Sequence, residues 1–394
     1  MATRLARRLQ RIRPSATVSI TAKALNLREQ GEDIISLSAG EPDFATPEHI
    51  RAAGIEAIAS GNTKYTALDG TRQLKLAIAA KLERDNGLHY ELVEILVTSG
   101  AKQACYNACQ ALLDPGDEVV IPAPYWVSYP EMVRLAEGEP VIVQATEQHG
   151  FTITPEQLAA AITPQTRLVI LNSPCNPTGA VYTRDQWQAL GEVLRGRPRV
   201  LILSDEIYEH IYWAEQPFTS FALACPDLYD RTLTVNGMSK GYAMSGWRLG
   251  YAAGPEAIIK AMTTIQGQST TNACTISQAA ARAALVGDQQ CVRDMCAEFK
   301  ARHDVVHARL NTIPGFVCPP GLGAFYLFPN VAAAMRRKGI DDDVAFCTAL
   351  LESARVAVVP GSAFGAPSHL RLSFAASLPT LNTALDRIES FMAS

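Results

Sequence analysis

The chain has 394 residues, 48% of them apolar and 19% charged, and its 35 basic and 39 acidic side chains leave a formal charge of −4. That composition excludes a disordered chain, and so mild a charge does not call for nucleic acid or an acidic membrane as the main partner. No apolar run reaches the length of about 18 residues that a transmembrane helix needs, and at about 150 residues per domain the length suggests two to three units. Nine cysteines, an odd number with no Cys-x-x-Cys pair, fit neither a disulfide framework nor a zinc site; they fit the reduced thiols of a cytoplasmic protein.

Residues 1–13 form a basic, amphipathic segment. Arg4, Arg7, Arg8 and Arg11 share one helical face, Leu5, Leu9 and Ile12 another, and no acid precedes Glu29. A mitochondrial transit peptide has this character, but no long linker follows, so the reading preferred is a short helix lying on the folded body or on a partner subunit. Asp33–Leu37 reads as an early strand. Seven apolar runs then alternate with helix-like segments: Glu94–Gly100, Glu118–Pro124, Pro140–Thr146, Arg167–Pro174, Arg199–Glu206, Thr232–Gly237 and Tyr251–Gly254. Their Val, Ile and Leu content on both faces predicts buried, mostly parallel strands, with helices such as Lys102–Leu113, Thr183–Arg195 and Pro255–Thr264 covering both sides. In such α/β folds ligands gather beyond the carboxyl ends of the strands. The last third predicts a long helix over Ser277–Leu310, then strands at Phe316–Cys318, Gly323–Phe328, Val356–Val359 and Leu370–Ser373, which make a second, α+β domain.

Four strand ends carry polar residues suited to chemistry. Thr98-Ser99-Gly100-Ala101-Lys102-Gln103 turns from strand to helix through small residues, and the free N–H groups of a helix start suit a phosphate. Asn172-Ser173-Pro174-Cys175-Asn176-Pro177-Thr178-Gly179 is stiffened by two prolines, so Asn176 can donate a hydrogen bond from a fixed position. Asp205, in Ser204-Asp205-Glu206-Ile207-Tyr208, closes an apolar run, where an acid needs a cation; otherwise it caps the next helix. Lys240, in Ser239-Lys240-Gly241, sits among small residues past a strand, where a lysine becomes an amine nucleophile, and Arg248 follows as a phosphate clamp. Singly, each reads equally well as a turn, a cap or a solvated cation. Together they are what pyridoxal phosphate requires: a lysine for the Schiff base and an acid that keeps the pyridine nitrogen protonated.

With these stretches, and with Ala39-Gly40-Glu41-Pro42-Asp43-Phe44, Lys64-Tyr65, Pro124-Tyr125-Trp126-Val127-Ser128-Tyr129-Pro130 and Arg371-Leu372-Ser373-Phe374, the chain resembles the fold-type I pyridoxal-phosphate aminotransferases of class I over nearly its whole length. It is most similar to the bacterial branch of aspartate and aspartate/prephenate aminotransferases. The resemblance implies a large domain with a mostly parallel seven-stranded sheet at residues 48–285, a small α+β domain from residues 14–47 and 286–394, and a homodimer. It implies that Lys240 holds the cofactor and moves the substrate proton, that Asp205 pairs with the pyridine nitrogen, and that Asn176 and Tyr208 hydrogen-bond the ring hydroxyl. Trp126 would stack on the ring; Gly100, Ala101, Ser239 and Arg248 would hold the phosphate, joined by Tyr65 of the other subunit. Arg371 would clamp the substrate α-carboxylate and Gly40 would present its backbone, with Trp126 and Asn176 bordering the substrate. No metal is implied. One departure is Cys175, where the family has Asn; it is the one thiol expected beside the cofactor.

For an acidic substrate the resemblance implies a second cation at Lys102, beside Ser15 and Thr17, and links Arg13 to prephenate. Aspartate or glutamate is therefore the expected donor, with prephenate an open addition. The rivals are an aromatic or alanine aminotransferase, a C–S lyase on the same fold, and a non-enzymatic regulator. The pairs Cys105/Cys109 and His303/His307, each one helical turn apart, read as helix packing or a solvated face rather than as metal ligands.

Overall fold

A computed structural model describes residue 3, residues 5–12 and residues 16–394. Seven strands form the main sheet: β2 (Ile95–Thr98), β3 (Glu118–Ala123), β4 (Glu139–Gln144), β5 (Thr166–Asn172), β6 (Leu201–Asp205), β7 (Thr232–Gly237) and β8 (Gly250–Ala253), following a short β1 (Ile35–Ser36) that lies outside it. Their order is β2-β8-β7-β6-β5-β3-β4. All pairs are parallel except those of β8, which runs against both β2 and β7. The reason is local: residues 238–249 between β7 and β8 hold only the 3-10 turn Ser245–Trp247, and a parallel return needs a longer crossover.

Alternate residues of these strands face opposite cores. Leu168 and Ile170 pack with Cys105, Val119 and Ile259, whereas Val169 and Leu171 pack with Trp187, Leu190 and Ile202. The apolar runs are therefore two-faced because both faces are covered by helices. The carboxyl ends of β2, β5, β6 and β7 lie along one edge, so Gly100, Asn176, Asp205 and Lys240 emerge on the same side of the sheet.

The predicted long helix over Ser277–Leu310 is two helices, Thr275–Val286 and Gln290–Leu310. Gly287 breaks it: a Cβ there would come within 2.8 Å of the Ala283 carbonyl and 3.0 Å of the His49 ring. The Asp288 carboxylate accepts from the Gln290 N–H at 3.0 Å and starts the second helix. The strand expected at Phe316–Cys318 is only an isolated bridge from Val317 to Asn330. Of the other late strands, Gly323–Phe328 shortens to β9 (Tyr326–Leu327), Val356–Val359 divides into β10 (Val356–Ala357) and β11 (Val359–Pro360), and β12 (Leu370–Ser373) has the expected bounds. Val356–Val359, which reads as one strand, serves two sheets: β10 pairs in parallel with β1, and β11 pairs with β12. The early strand thus joins the C-terminal part of the chain, as expected.

At the N-terminus a single 3-10 turn, Arg7–Gln10, replaces the expected amphipathic helix; its preceding residue, Ala6, has no side chain to cap it. Arg11 is tied to Glu139 at 2.5 Å and to the Gly138 carbonyl at 3.4 Å. Leu5 and Leu9 are 67% and 46% exposed, so this chain leaves their apolar face uncovered.

Candidate active site

At that edge of the sheet lies a cavity of about 300 Å³. Its walls include Gly40, Ala101, Lys102, Trp126, Asn176, Asp205, Tyr208, Ser239, Lys240, Arg248 and Arg371. Residues as distant in sequence as Gly40 and Arg371 meet there because the chain just after β1 runs beside β12, where the Ser373 N–H donates to the Leu37 carbonyl at 2.9 Å.

Lys240 follows the end of β7. Its Nζ donates to the Gly40 carbonyl and stands 5.7 Å from the ring centroids of both Tyr208 and Phe325. Burial, reinforced by the Arg371 guanidinium, brings its ammonium down to about 8, against a partial opposing pull from Glu41. A half-buried lysine with this value is an amine nucleophile available near neutral pH. The rate at which the cofactor-free chain captures an aldehyde should therefore rise about tenfold per pH unit below 8 and level off above it. Stopped-flow capture rates across that range check this; a midpoint near the ordinary lysine value would contradict it.

Asp205 is the last residue of β6 and is 3% exposed. Burial pushes its carboxyl up, opposed by hydrogen bonds from Tyr129 and the Ile207 N–H and by the charge of Lys240. Tyr129 Oη donates to Oδ2 at 2.6 Å, and the Ile207 N–H reaches Oδ1 at 3.2 Å. Behind it, Lys81, Asn86 and Asn236 all donate to the buried Glu209 carboxylate and hold the segment after β6 in place.

Asn176 is set by Asn172, whose Oδ1 accepts the Asn176 N–H at 3.0 Å while its Nδ2 donates to the Asp205 carbonyl at 2.9 Å. Asn176 Oδ1 in turn accepts from Arg371 Nη1 at 3.0 Å, and Arg371 Nη2 donates to the Ser38 carbonyl at 2.7 Å. The Arg371 guanidinium lies 4.5 Å from the Tyr326 ring, and its buried Nε has no partner. A buried fork held this way keeps spare N–H groups for a carboxylate. Tyr326 Oη also meets Tyr208 Oη at 2.8 Å.

The helix Ala101–Leu112 starts at the cavity, and its first N–H groups have no intrahelical acceptor. Gly100, with φ +86°, is pressed against Arg248: a Cβ there would lie 2.5 Å from Nη2. A Cβ on Gly250 would lie 2.3 Å from the Ala101 nitrogen, so only glycine lets the backbone approach. Arg248, itself at φ +52°, is anchored by Nη1 on the Ser245 carbonyl at 2.8 Å. Helix start, Ser239 and guanidinium together make an anion cradle. Lys102 Nζ sits 5.0 Å from the Trp126 ring centroid, and burial lowers its ammonium.

Eleven of the expected site residues thus share the cavity wall. Gly100 lies just behind it, through its contact with Arg248. Tyr65 is 88% exposed and lies away from it. Arg13 and Ser15 are outside the described residues, as is the Thr17 side chain. Cys175 turns its thiol to the Pro124 carbonyl at 3.6 Å and is not on the wall, whereas Cys105, read as helix packing, has its Sγ 3.9 Å from Asp205. The thiol nearest the site's acid is therefore Cys105: Asn176 faces the cavity, and its neighbour points back into the protein. His303 is buried and stacked on His307 at 5.5 Å, in keeping with helix packing. Tyr129, Asn172 and Tyr326 went unread. Tyr129 and Asn172 stand inside quoted motifs, but nothing in their spacing singles them out, and Tyr326 lies in no motif.

Residues 32–388 match the family described as aminotransferase class I and II. The chain is 50% identical to the aspartate/prephenate aminotransferase of Nitrosomonas europaea, across 99% of this chain and 100% of that protein. Its structure resembles the aspartate aminotransferase of Rhizobium meliloti with a TM-score of 0.96 at 48% identity, covering 100% of this chain and 99% of that one. It also resembles the aspartate aminotransferase of Thermus thermophilus with maleate, with a TM-score of 0.92 at 44% identity, covering 99% and 100%.

Proposed function

We propose a specific reaction for this chain, which belongs to the class I and II aminotransferases. It moves an amino group between L-aspartate or L-glutamate and 2-oxoglutarate or oxaloacetate, by a ping-pong route on pyridoxal 5′-phosphate, and takes prephenate as a further oxoacid. The observation that carries the reading is the joint placement of a half-buried lysine near 8, a buried acid and an anion cradle around one cavity. The residues fit the cofactor: Gly100 and Gly250 keep the anion cradle free of Cβ atoms, and Lys240, Asp205 and Arg248 line the same cavity. The names of the relatives, one of them with maleate, support a dicarboxylate substrate.

When bound, the cofactor supplies an aldehyde that condenses with amines and a protonated ring that withdraws electrons from the bonds of the substrate α-carbon. The chain's own residues do the rest. Lys240 would hold the aldehyde, and its Nζ would be the base that takes the proton from the substrate α-carbon. Asp205 would keep the ring nitrogen protonated. Ala101, Ser239 and Arg248 would hold the phosphate, with Gly100 shaping the cradle, and Trp126 would cover the ring. Asn176 and Tyr208 would bind the ring hydroxyl, and Gly40 would lend its carbonyl. Arg371 orients the substrate α-carboxylate beside Asn176 and Trp126.

Lys102 supplies the charge for the distal carboxylate, with Arg13 assigned to prephenate. Lys102→Ala should lower kcat/KM for aspartate roughly 10- to 100-fold while leaving alanine within about threefold, because a charge-assisted contact is lost only with the acid. Equal losses on both substrates in steady-state assays would remove Lys102 from this role.

We assign residues 48–285 to the cofactor domain, residues 14–47 and 286–394 to the small domain, and residues 1–13 to the N-terminal segment. The working unit is a homodimer in which Tyr65 reaches the partner's phosphate. Exposed Ile55, Ile58, Leu76 and Val286, together with Tyr65 itself, support a covered face. Nine free cysteines support a cytoplasmic setting, and no helix among the described residues is long and apolar enough to cross a membrane. Mixing purified protein with the cofactor, aspartate and 2-oxoglutarate tests the reaction. Oxaloacetate and glutamate in equal amounts are expected, and their absence would reject it.

A further inference from the structure

We infer that Tyr129 and Cys105 are positioning residues that hold Asp205 from behind, two donors on one carboxylate oxygen. The inference rests on the role given to Asp205 above. Tyr129 Oη donates to Asp205 Oδ2 at 2.6 Å, and Cys105 Sγ lies 3.9 Å from the same oxygen. The Ile207 N–H takes one site on Oδ1. A carboxylate offers about four lone-pair sites, so this count leaves one, on Oδ1, for a donor from the cavity.

Both partners are placed by the elements that build the site. Cys105 lies one turn into the helix Ala101–Leu112, whose start forms the anion cradle, and is fully buried. Tyr129 is the second residue of the helix Ser128–Leu135 and packs edge-on to Trp126, with ring centroids 5.2 Å apart. A shift of either helix would therefore move acid, cradle and ring cover together. Burial first, and then the Asp205 charge, push the thiol and the phenol well above their ordinary values. Both stay protonated at neutral pH and act as donors, not as competing anions. Burial works against the ionised form of Asp205, and each donor works for it. The competing account makes Cys105 a small apolar filler, a common fate of buried thiols. An apolar filler would leave Oδ2 to Tyr129 alone.

The test uses the holoenzyme and the variants Cys105→Ala, Cys105→Ser, Tyr129→Phe, the double variant Cys105→Ala/Tyr129→Phe, and Asp205→Ala. The infrared S–H stretch of Cys105 is isolated as the difference between wild type and Cys105→Ala. It is expected at lower frequency than a free thiol, and at the free position in Asp205→Ala. Cofactor dissociation should quicken about 2- to 5-fold in Cys105→Ala and roughly 10-fold in Tyr129→Phe. The serine variant should return toward wild type, and the double variant should lose more than the product of the two. In each, kcat should fall while KM stays near wild type, a split that general loosening of the fold would not give. An S–H band at the free position, or one unmoved by Asp205→Ala, overturns the role of Cys105. Wild-type cofactor retention in both single variants overturns the pair. If Asp205→Ala itself keeps wild-type retention and turnover, the reading of Asp205 fails instead.

Discussion

Lys240→Ala should lose at least about 10⁴ in turnover, because the proposed reaction uses one amine as both anchor and proton carrier. Only Lys240 and Lys102 bring an amine to the cavity wall among the described residues, and Lys102 is held over Trp126 at the opening of the helix Ala101–Leu112. It stands in the wrong place to take over. The variant should still fold, since removing a half-buried ammonium relieves a desolvation cost, and it should still bind the cofactor through the cradle. Two measurements check this. Borohydride treatment of the wild type should fix the cofactor to the peptide that contains Lys240, and the variant should show no fixed cofactor and no turnover. Label on another lysine, or a variant with more than about a hundredth of wild-type turnover, would contradict the assignment.

Asp205→Ala should be the next most damaging change, lowering kcat roughly 10²- to 10³-fold with a smaller effect on KM. In the proposed reaction the acid acts on the ring that withdraws electrons, so its loss should fall on the chemical step and not on binding of the substrate carboxylates, which the proposal gives to Arg371 and Lys102. Asp205→Glu should recover only part of the loss. The pocket behind the acid is closed by Tyr129, Cys105 and the Ile207 amide, so a longer side chain must displace one of them. Steady-state kinetics on aspartate for both variants check the order; a KM effect larger than the kcat effect would place Asp205 in substrate binding instead.

The seven apolar runs of the sheet were legible because two-faced burial leaves a plain mark: Val, Ile and Leu without alternation, bounded by Gly, Pro and polar residues. The four strand ends were legible for the same reason, since each motif stands at the end of such a run. The two-residue strands β1, β9, β10 and β11 leave too short a pattern to bound, and β10 and β11 merged in the sequence because nothing at Val358 marks a change of partner sheet. The break at Gly287 depends on the His49 ring and the Ala283 carbonyl, a contact that periodicity does not carry.

At the site, the nucleophile, the acid and the cradle have local signatures, but their supports do not. Arg371 and Asn176 are 195 positions apart and meet only in the fold, as do Tyr208 and Tyr326, 118 apart. Cys105 and Cys109 look alike along the helix; only the packing of that helix on the sheet turns one of them to Asp205. Cys175 illustrates the converse, since a place next to Asn176 in sequence put its thiol on the far side of the backbone.

The most direct test of the whole account follows the amino nitrogen itself. Purified holoenzyme is given isotope-labelled L-aspartate and unlabelled 2-oxoglutarate, and the nitrogen products are read by mass spectrometry. The account requires the label to appear in glutamate, one for each oxaloacetate formed, with no turnover when 2-oxoglutarate is omitted beyond the first equivalent per active site. Label released as ammonia, or carbon released as pyruvate without an oxoacid acceptor, would contradict it.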